Sequence, residues 1–174
     1  CKEMKQFEGK IDQHAILDLE EGYEQGFIVM KNFIHVNPTA LDVANQYFYA
    51  KEKNYLTKED DANYNNRWLQ FRGDFIGDFK WTHEYMKQHY GISQSHIYAN
   101  WRQDGHHYGR HRDEMDVIIV QMWNEIAYCV ESPYGEKKHH SYTLQPGDAI
   151  YIRNGTWHTP VVFGERATMS FSWG

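Results

Sequence analysis

MDVIIVQMW, residues 115–123, is too short to cross a membrane and too rich in β-branched and aromatic residues for a helix, so it reads as a strand. The same texture recurs on both sides of it. SHIYANW (95–101) lies upstream, and EIAYCVE (125–131), HSYTL (140–144), DAIYIR (148–153), TPVVF (159–163) and ATMSFSW (167–173) follow. The turn-forming stretches QDGHHYG, SPYGEKK, QPGD, RNG and FGE separate these runs. Seven short strands in a row, with no helix-length crossover between them, predict an antiparallel sandwich or barrel and exclude a parallel α/β sheet for this half.

The first half has a different pattern. GFIVMKNFI (26–34) is a compact strand-forming run. HVNPTALDVANQYFYA (35–50) then predicts a helix, with Asn37 as N-cap, Pro38 in the first helical position and Leu41, Ala44 and Phe48 as the apolar stripe. KEKNYLTKEDDANYNN (51–66) lacks a sustained period and reads as a surface loop. A second helix is predicted from about 74 to 90, with Phe75, Phe79, Met86 and Tyr90 on one stripe and Gly91 as its stop. Residues 1–25 read as a polar lead-in with one edge element around Ile16, Leu17 and Leu19. No break in composition marks a boundary. The expectation is therefore a single, mainly β domain over 1–174, in which 1–95 cover one face of a β core formed by 96–174.

Composition narrows the function. Lys and Arg total 18 against 24 Asp and Glu, a net charge of −6 that disfavours a nucleic-acid partner. The chain has 174 residues, 41% of them hydrophobic, enough for a core, and no apolar run approaches the roughly 20 residues of a membrane span. Two cysteines are too few for a disulfide framework, and Cys129 sits in an apolar run, so a reduced thiol and a cytoplasmic setting are expected. A chain that starts at Cys1 reads as a trimmed or processed product. The 13 Tyr, 6 Trp and 11 His suit a recognition or metal site.

His111-Arg112-Asp113 stands just before the strand at 115–123. In a chain with 11 histidines an H-x-D tripeptide arises roughly once by chance, so placement matters more than the motif. In extended backbone, residues i and i+2 share a face, which lets His111 and Asp113 aim a nitrogen and an oxygen at one point. His158, after the Asn154-Gly155 turn, starts another strand and supplies a third donor. Two histidines and a carboxylate on one side of an octahedron leave three positions open, the facial triad of non-haem Fe(II) oxygenases. A closed structural zinc site would call for a fourth ligand, and Cys129 has no nearby thiol.

GRHRDEMDVIIVQMW, followed by LQPGDAIYIRNGTWHTPVV and ERATMSFSW, resembles the jumonji-C-type, ribosomal-oxygenase-like branch of the cupin superfamily, the Fe(II)- and 2-oxoglutarate-dependent oxygenases. The resemblance runs over about residues 96–174 and rests on His111, Asp113, Asp116, Gln121, Gly147, Asp148, Tyr151, Gly155 and His158. It implies a double-stranded β-helix, a jelly-roll with iron at its mouth, and the cofactors Fe(II) and 2-oxoglutarate. Where that family places a Lys or Arg for the distal carboxylate of 2-oxoglutarate, this chain has Ile126. Arg166, with Thr168 two residues on, resembles the carboxylate anchor of other branches, where Arg offers a bidentate fork. A solvated arginine beside Glu165 is the alternative.

The expected site thus comprises His111, Asp113 and His158 as metal ligands. Arg166, Thr168, Tyr98 and Tyr108 are expected at the co-substrate, and Gln121, Trp123 and Trp157 along the substrate pocket. Gln121 could equally be a buried, satisfied amide. His106-His107 read as a polar turn and His139-His140 as a solvated loop. The expected activity is hydroxylation of a protein side chain or small molecule. A metal-dependent cupin enzyme without 2-oxoglutarate and a non-catalytic binding module are the rivals. The oligomeric state is not legible.

Overall fold

A computed structural model describes residues 26–56, 69–72, 76–101, 109–131 and 139–173. The order is β1 (Phe27–Met30), α1 (Ala40–Glu52), β2 (Leu69–Phe71), α2 (Gly77–Tyr90), β3 (Gln94–Asn100), β4 (Val117–Trp123), β5 (Ile126–Glu131), β6 (His139–Leu144), β7 (Ala149–Ile152), β8 (His158–Val161) and β9 (Arg166–Ser172). The strands form two antiparallel sheets, one of six in the order β1-β7-β4-β9-β3-β2 and one of three in the order β6-β5-β8. The mainly β expectation holds. β1 is added at the edge of the larger sheet, pairing with β7 from Phe27↔Ile152 to Met30↔Ala149.

Strand alternation divides the apolar residues between two cores. Ile118, Val120 and Met122 of β4 join Met169 and Phe171 of β9 in a cluster with Val43 and Tyr47 of α1 and Phe79, Tyr85 and Met86 of α2. Val117 and Ile119, pointing the other way, pack with Ile126, Tyr128, Val130, Leu144, Ile150 and Ile152 between the sheets. β4 is buried along both faces, which is why its sequence is continuously apolar instead of alternating with polar residues. The helices cover the outer face of the larger sheet, leaving the inner face for the smaller sheet.

α1 departs from expectation at its start and in its buried face. Its N-cap is Thr39, not Asn37: the Thr39 hydroxyl accepts from the Asp42 N–H at 3.3 Å and the Asp42 carboxylate accepts from the Thr39 N–H at 2.7 Å. Leu41 and Phe48 are 68% and 61% exposed, whereas Val43, Gln46, Tyr47 and Ala50 are buried. The sequence carries two apolar stripes, and the helix period alone does not choose between them. A polar contact selects the second. The Gln46 amide donates to the Ile76 carbonyl at 2.6 Å and accepts from the Ile76 N–H at 3.4 Å, tying α1 to the start of α2.

α2 ends as predicted, with Gly91 at φ 67°. Phe79 and Met86 are fully buried and Tyr90 half-buried. Phase and composition gave no sign of β2, a strand of three residues paired with β3. His139 and His140 begin β6 and are not loop residues. Cys129 is half-buried. The elements expected within 1–25 and 57–66, together with Phe75, His106, His107 and Tyr108, lie outside the described residues. No helix among the described residues is long and apolar enough to cross a membrane.

Candidate metal centre

Two backbone contacts bring the three donors together. His111 and His158 form an isolated antiparallel bridge, each N–H donating to the other's carbonyl at 2.9 and 2.8 Å. The Gly155 N–H donates to the Asp113 carbonyl at 2.8 Å, which seats the Asn154-Gly155 turn on the H-x-D segment. Asp116 locks the same turn from below. Its carboxylate accepts from the Asn154 N–H at 2.8 Å, the Asn154 amide at 3.0 Å and the Tyr151 hydroxyl at 2.8 Å. Asp116 and Tyr151 thus shape the site without joining it.

The imidazoles are oriented for coordination. His111 Nδ1 lies 2.8 Å from the Gly109 carbonyl and His158 Nδ1 lies 2.9 Å from the Thr156 carbonyl. A carbonyl only accepts, so each Nδ1 carries the proton and each Nε2 keeps its lone pair. Asp113 Oδ2 is 3.4 Å from His158 Nε2 and 4.0 Å from His111 Nε2, and all three donor atoms lie within 4.8 Å of one another. His158 is buried, and that burial holds its pKa below the ordinary imidazole value, favouring the neutral form a ligand needs. Donors bound at about 2.0–2.2 Å to one divalent ion sit roughly 3 Å apart, so small side-chain rotations suffice to close this set on a metal. The chemistry of two imidazoles and one carboxylate suits a mid-series transition ion with open positions.

The three donors face a cavity of about 450 Å³. His111, Asp113 and His158 line it, and so do Tyr98, Tyr128 and Arg166. Arg166 is 3% exposed, so it is not the solvated strand-end arginine. Its Nε donates to the Asn100 side chain at 2.7 Å and its Nη1 to the Tyr98 carbonyl at 3.2 Å. Both acceptors are neutral, and no carboxylate pairs with this guanidinium among the described residues. Burial lowers its pKa, yet an arginine remains charged at neutral pH. A buried cation with no anionic partner among the described residues thus faces the cavity that holds the three donors.

Four residues expected at the site stand away from the cavity wall. Thr168 and Gln121 pair across β9 and β4, the Thr168 hydroxyl donating to the Gln121 carbonyl oxygen at 2.6 Å. The Gln121 amide nitrogen donates to the carbonyls of Trp123 and Asn124 at 3.0 and 2.8 Å, so Gln121 is a buried, satisfied amide closing the β4–β5 turn. Trp123 packs beside Trp101, with ring centroids 6.2 Å apart. Trp157 lies under the Arg110 guanidinium, 3.9 Å from the ring centroid. Ile126 is fully buried in the inter-sheet cluster.

Sequence reasoning missed Tyr128 and the polar residues Gln94, His96, Ser170 and Ser172, all of which line the cavity. A signal for the latter was present. Positions 94, 96 and 98 and positions 166, 168, 170 and 172 are polar at a two-residue period, and the residues between them are mostly apolar.

The architecture matches solved structures. The chain superposes on the ribosomal oxygenase YcfD from Escherichia coli in complex with cobalt and 2-oxoglutarate with a TM-score of 0.68 at 16% identity, covering 95% of this chain and 52% of that one. A second structure of E. coli YcfD gives 0.66 at 16% identity, covering 94% and 53%. A cobalt and succinic acid complex of YcfD gives 0.51 at 20% identity over 62% of this chain and 31% of that one. The fold is a cupin-type double-stranded β-helix. The chain spans about half the length of YcfD. No protein-family model matches the sequence, and no curated protein matches it.

Proposed function

We propose that this chain is a non-haem Fe(II)- and 2-oxoglutarate-dependent oxygenase. The observation that carries the reading is Arg166: a buried guanidinium with no carboxylate partner among the described residues, lining the same cavity as a His-x-Asp and a distal His. A diacid reconciles the two features, one carboxylate going to the metal and the other to the cation. His111, Asp113 and His158 would hold the iron. When bound, iron and 2-oxoglutarate supply the oxidation: oxygen converts 2-oxoglutarate and a substrate C–H into succinate, carbon dioxide and the hydroxylated product.

The chain's own contribution is placement. Asn100 and the Tyr98 carbonyl hold Arg166 in a single orientation, so its remaining N–H groups are presented together. Burial pushes the Tyr128 pKa up to about 12, so its hydroxyl remains a donor at neutral pH. That hydroxyl takes the role expected of Thr168, whose own is committed to Gln121. Val117, Ile119 and Pro160 keep part of the cavity apolar and limit water.

Under anaerobic conditions, 2-oxoglutarate added to the Fe(II) protein should produce a weak visible charge-transfer band. Admitting oxygen should release succinate, slowly without a substrate. His111→Ala should abolish both, and Arg166→Met should raise the 2-oxoglutarate KM by about 100-fold, as expected for an unpaired charge in a dry site. Metal binding without any band or succinate would favour the second reading, a metal-dependent cupin enzyme whose substrate ligates the ion directly. Ile126 supports that reading, because it fills with a core side chain the position where the resembled family carries a cation.

A further inference from the structure

The inner face of the six-stranded sheet changes character from strand to strand. β4 contributes Val117 and Ile119, whereas β3 and β9 contribute Gln94, His96, Ser170 and Ser172. These polar residues are neighbours, with Gln94 opposite Ser172 and His96 opposite Ser170, and the two serines lie beside Val117 and Ile119. The alternate residues Ile97, Ala99, Met169 and Phe171 are buried beneath the helices. β3 and β9 therefore turn their apolar side outward to the helices and their polar side inward, where a closed sandwich would place hydrocarbon.

Gln94 is exposed at the cavity mouth, Ser170 is half-buried and Ser172 is buried, so the row runs from solvent into the cavity, and a polar group at its inner end costs stability unless it is bonded. Among the described residues, the side chains of Gln94, Ser170 and Ser172 make no hydrogen bond, and all three line the cavity, where a bound group can meet them. The row contains no carboxylate, lysine or arginine. Glu114 and Arg112 lie at the exposed rim, and Asp113 and Arg166 belong to the metal and co-substrate positions. Along this row an ionic substrate group would find no carboxylate, lysine or arginine, and His96 is its one titratable side chain. Serine hydroxyls and a glutamine amide both donate and accept, and they match a neutral group that does the same.

We propose that Gln94, Ser170 and Ser172 form the substrate-recognition wall and take an uncharged donor–acceptor group of the carboxamide type. This assignment rests on the oxygenase reading for its chemistry, since it names what the oxidant is aimed at. Removing a hydrogen-bonding group that a site is built to meet leaves the site's polar atoms unpaired, and this is the source of strong discrimination.

The test uses protein loaded with Mn(II) and 2-oxoglutarate, with N-acetylglutamine methylamide as the neutral probe. N-acetylglutamate, N-acetyllysine and N-acetylleucine methylamides supply the anionic, cationic and apolar comparisons, and binding is read by calorimetry. The amide should bind about tenfold tighter than the other three. The Ser170→Ala/Ser172→Ala double variant, which breaks no hydrogen bond within the described protein, should reduce that margin to about threefold or less. A charged or apolar probe binding as well as the amide, no probe binding, or a margin unchanged in the variant overturns the assignment. Propanamide separates the sources of the group: affinity equal to the blocked glutamine points to a free small molecule, and about tenfold weaker binding to a residue in a peptide. If the wild-type protein binds no 2-oxoglutarate, the oxygenase reading fails, while the amide margin on the Mn(II) protein alone still decides the wall.

Discussion

Asp116 shows how a residue can belong to a metal-site motif without touching the metal. Three donors converge on its carboxylate, and through Asn154 it fixes the turn that delivers Gly155 to the Asp113 carbonyl. Hydrogen bonds to a charged acceptor contribute about 1.5–3 kcal/mol each, with partial loss where water replaces the acceptor. Asp116→Ala should therefore cost about 2–4 kcal/mol. In a protein of this size that lowers Tm by roughly 4–16 °C, and Asp116→Asn, which keeps one acceptor, should recover part of it. Thermal denaturation of the two variants checks this, and an unchanged Tm for Asp116→Ala would remove Asp116 from its structural role. Gly147 is constrained differently: its φ is 93°, and a Cβ there would lie 2.3 Å from the Ile34 carbonyl oxygen. That close approach lets the Ile34 N–H reach the Gly147 carbonyl at 3.0 Å and holds the segment after β1 against the turn before β7.

The segments that carry the two histidines are also braced on their outer side. Arg110 grips Glu131 at the end of β5 with two bonds of 2.8 Å and stacks on Trp157, the residue before His158. Glu131 raises the Arg110 pKa, chiefly through that hydrogen bond. The Glu131 N–H in turn donates to the Trp157 carbonyl at 2.9 Å. Groups that orient ligands typically influence metal affinity by 10- to 100-fold, and an exposed brace belongs at the lower end. Arg110→Ala should weaken Mn(II) binding by about tenfold in a chelator competition, and an affinity equal to that of the wild type would reduce the clamp to a surface contact. What the sequence revealed follows the same physics. The strands from 95 onward and the His-x-Asp placement were legible because a two-residue period and turn chemistry are local. The buried face of α1 was not, because Gln46 chooses it through Ile76, 30 residues away. The destination of the Gln121 amide and the neutral partners of Arg166 depend on which strands become neighbours, and β9 lies between β4 and β3 in the sheet order.

Across the whole molecule the donors come from two separate stretches of chain, the segment before β4 and the start of β8. His111 and Asp113 immediately precede β4 of the six-stranded sheet, and His158 opens β8 of the three-stranded one. An ion bound by all three therefore cross-links the segment before β4 to β8 at the cavity mouth, beside the His111–His158 bridge and the Gly155–Asp113 hydrogen bond. Binding confined to the folded state stabilises it by about 2.7 kcal/mol at a metal concentration 100 times Kd. For a chain of this length, each kcal/mol shifts Tm by roughly 2–4 °C. Saturating Mn(II) should accordingly raise Tm by about 5–11 °C over protein stripped with a chelator, and His158→Ala should erase that increment. A shift that persists in His158→Ala would place the stabilising ion elsewhere. Its absence in the wild type would mean that the preformed triad does not bind metal tightly enough to stabilise the fold.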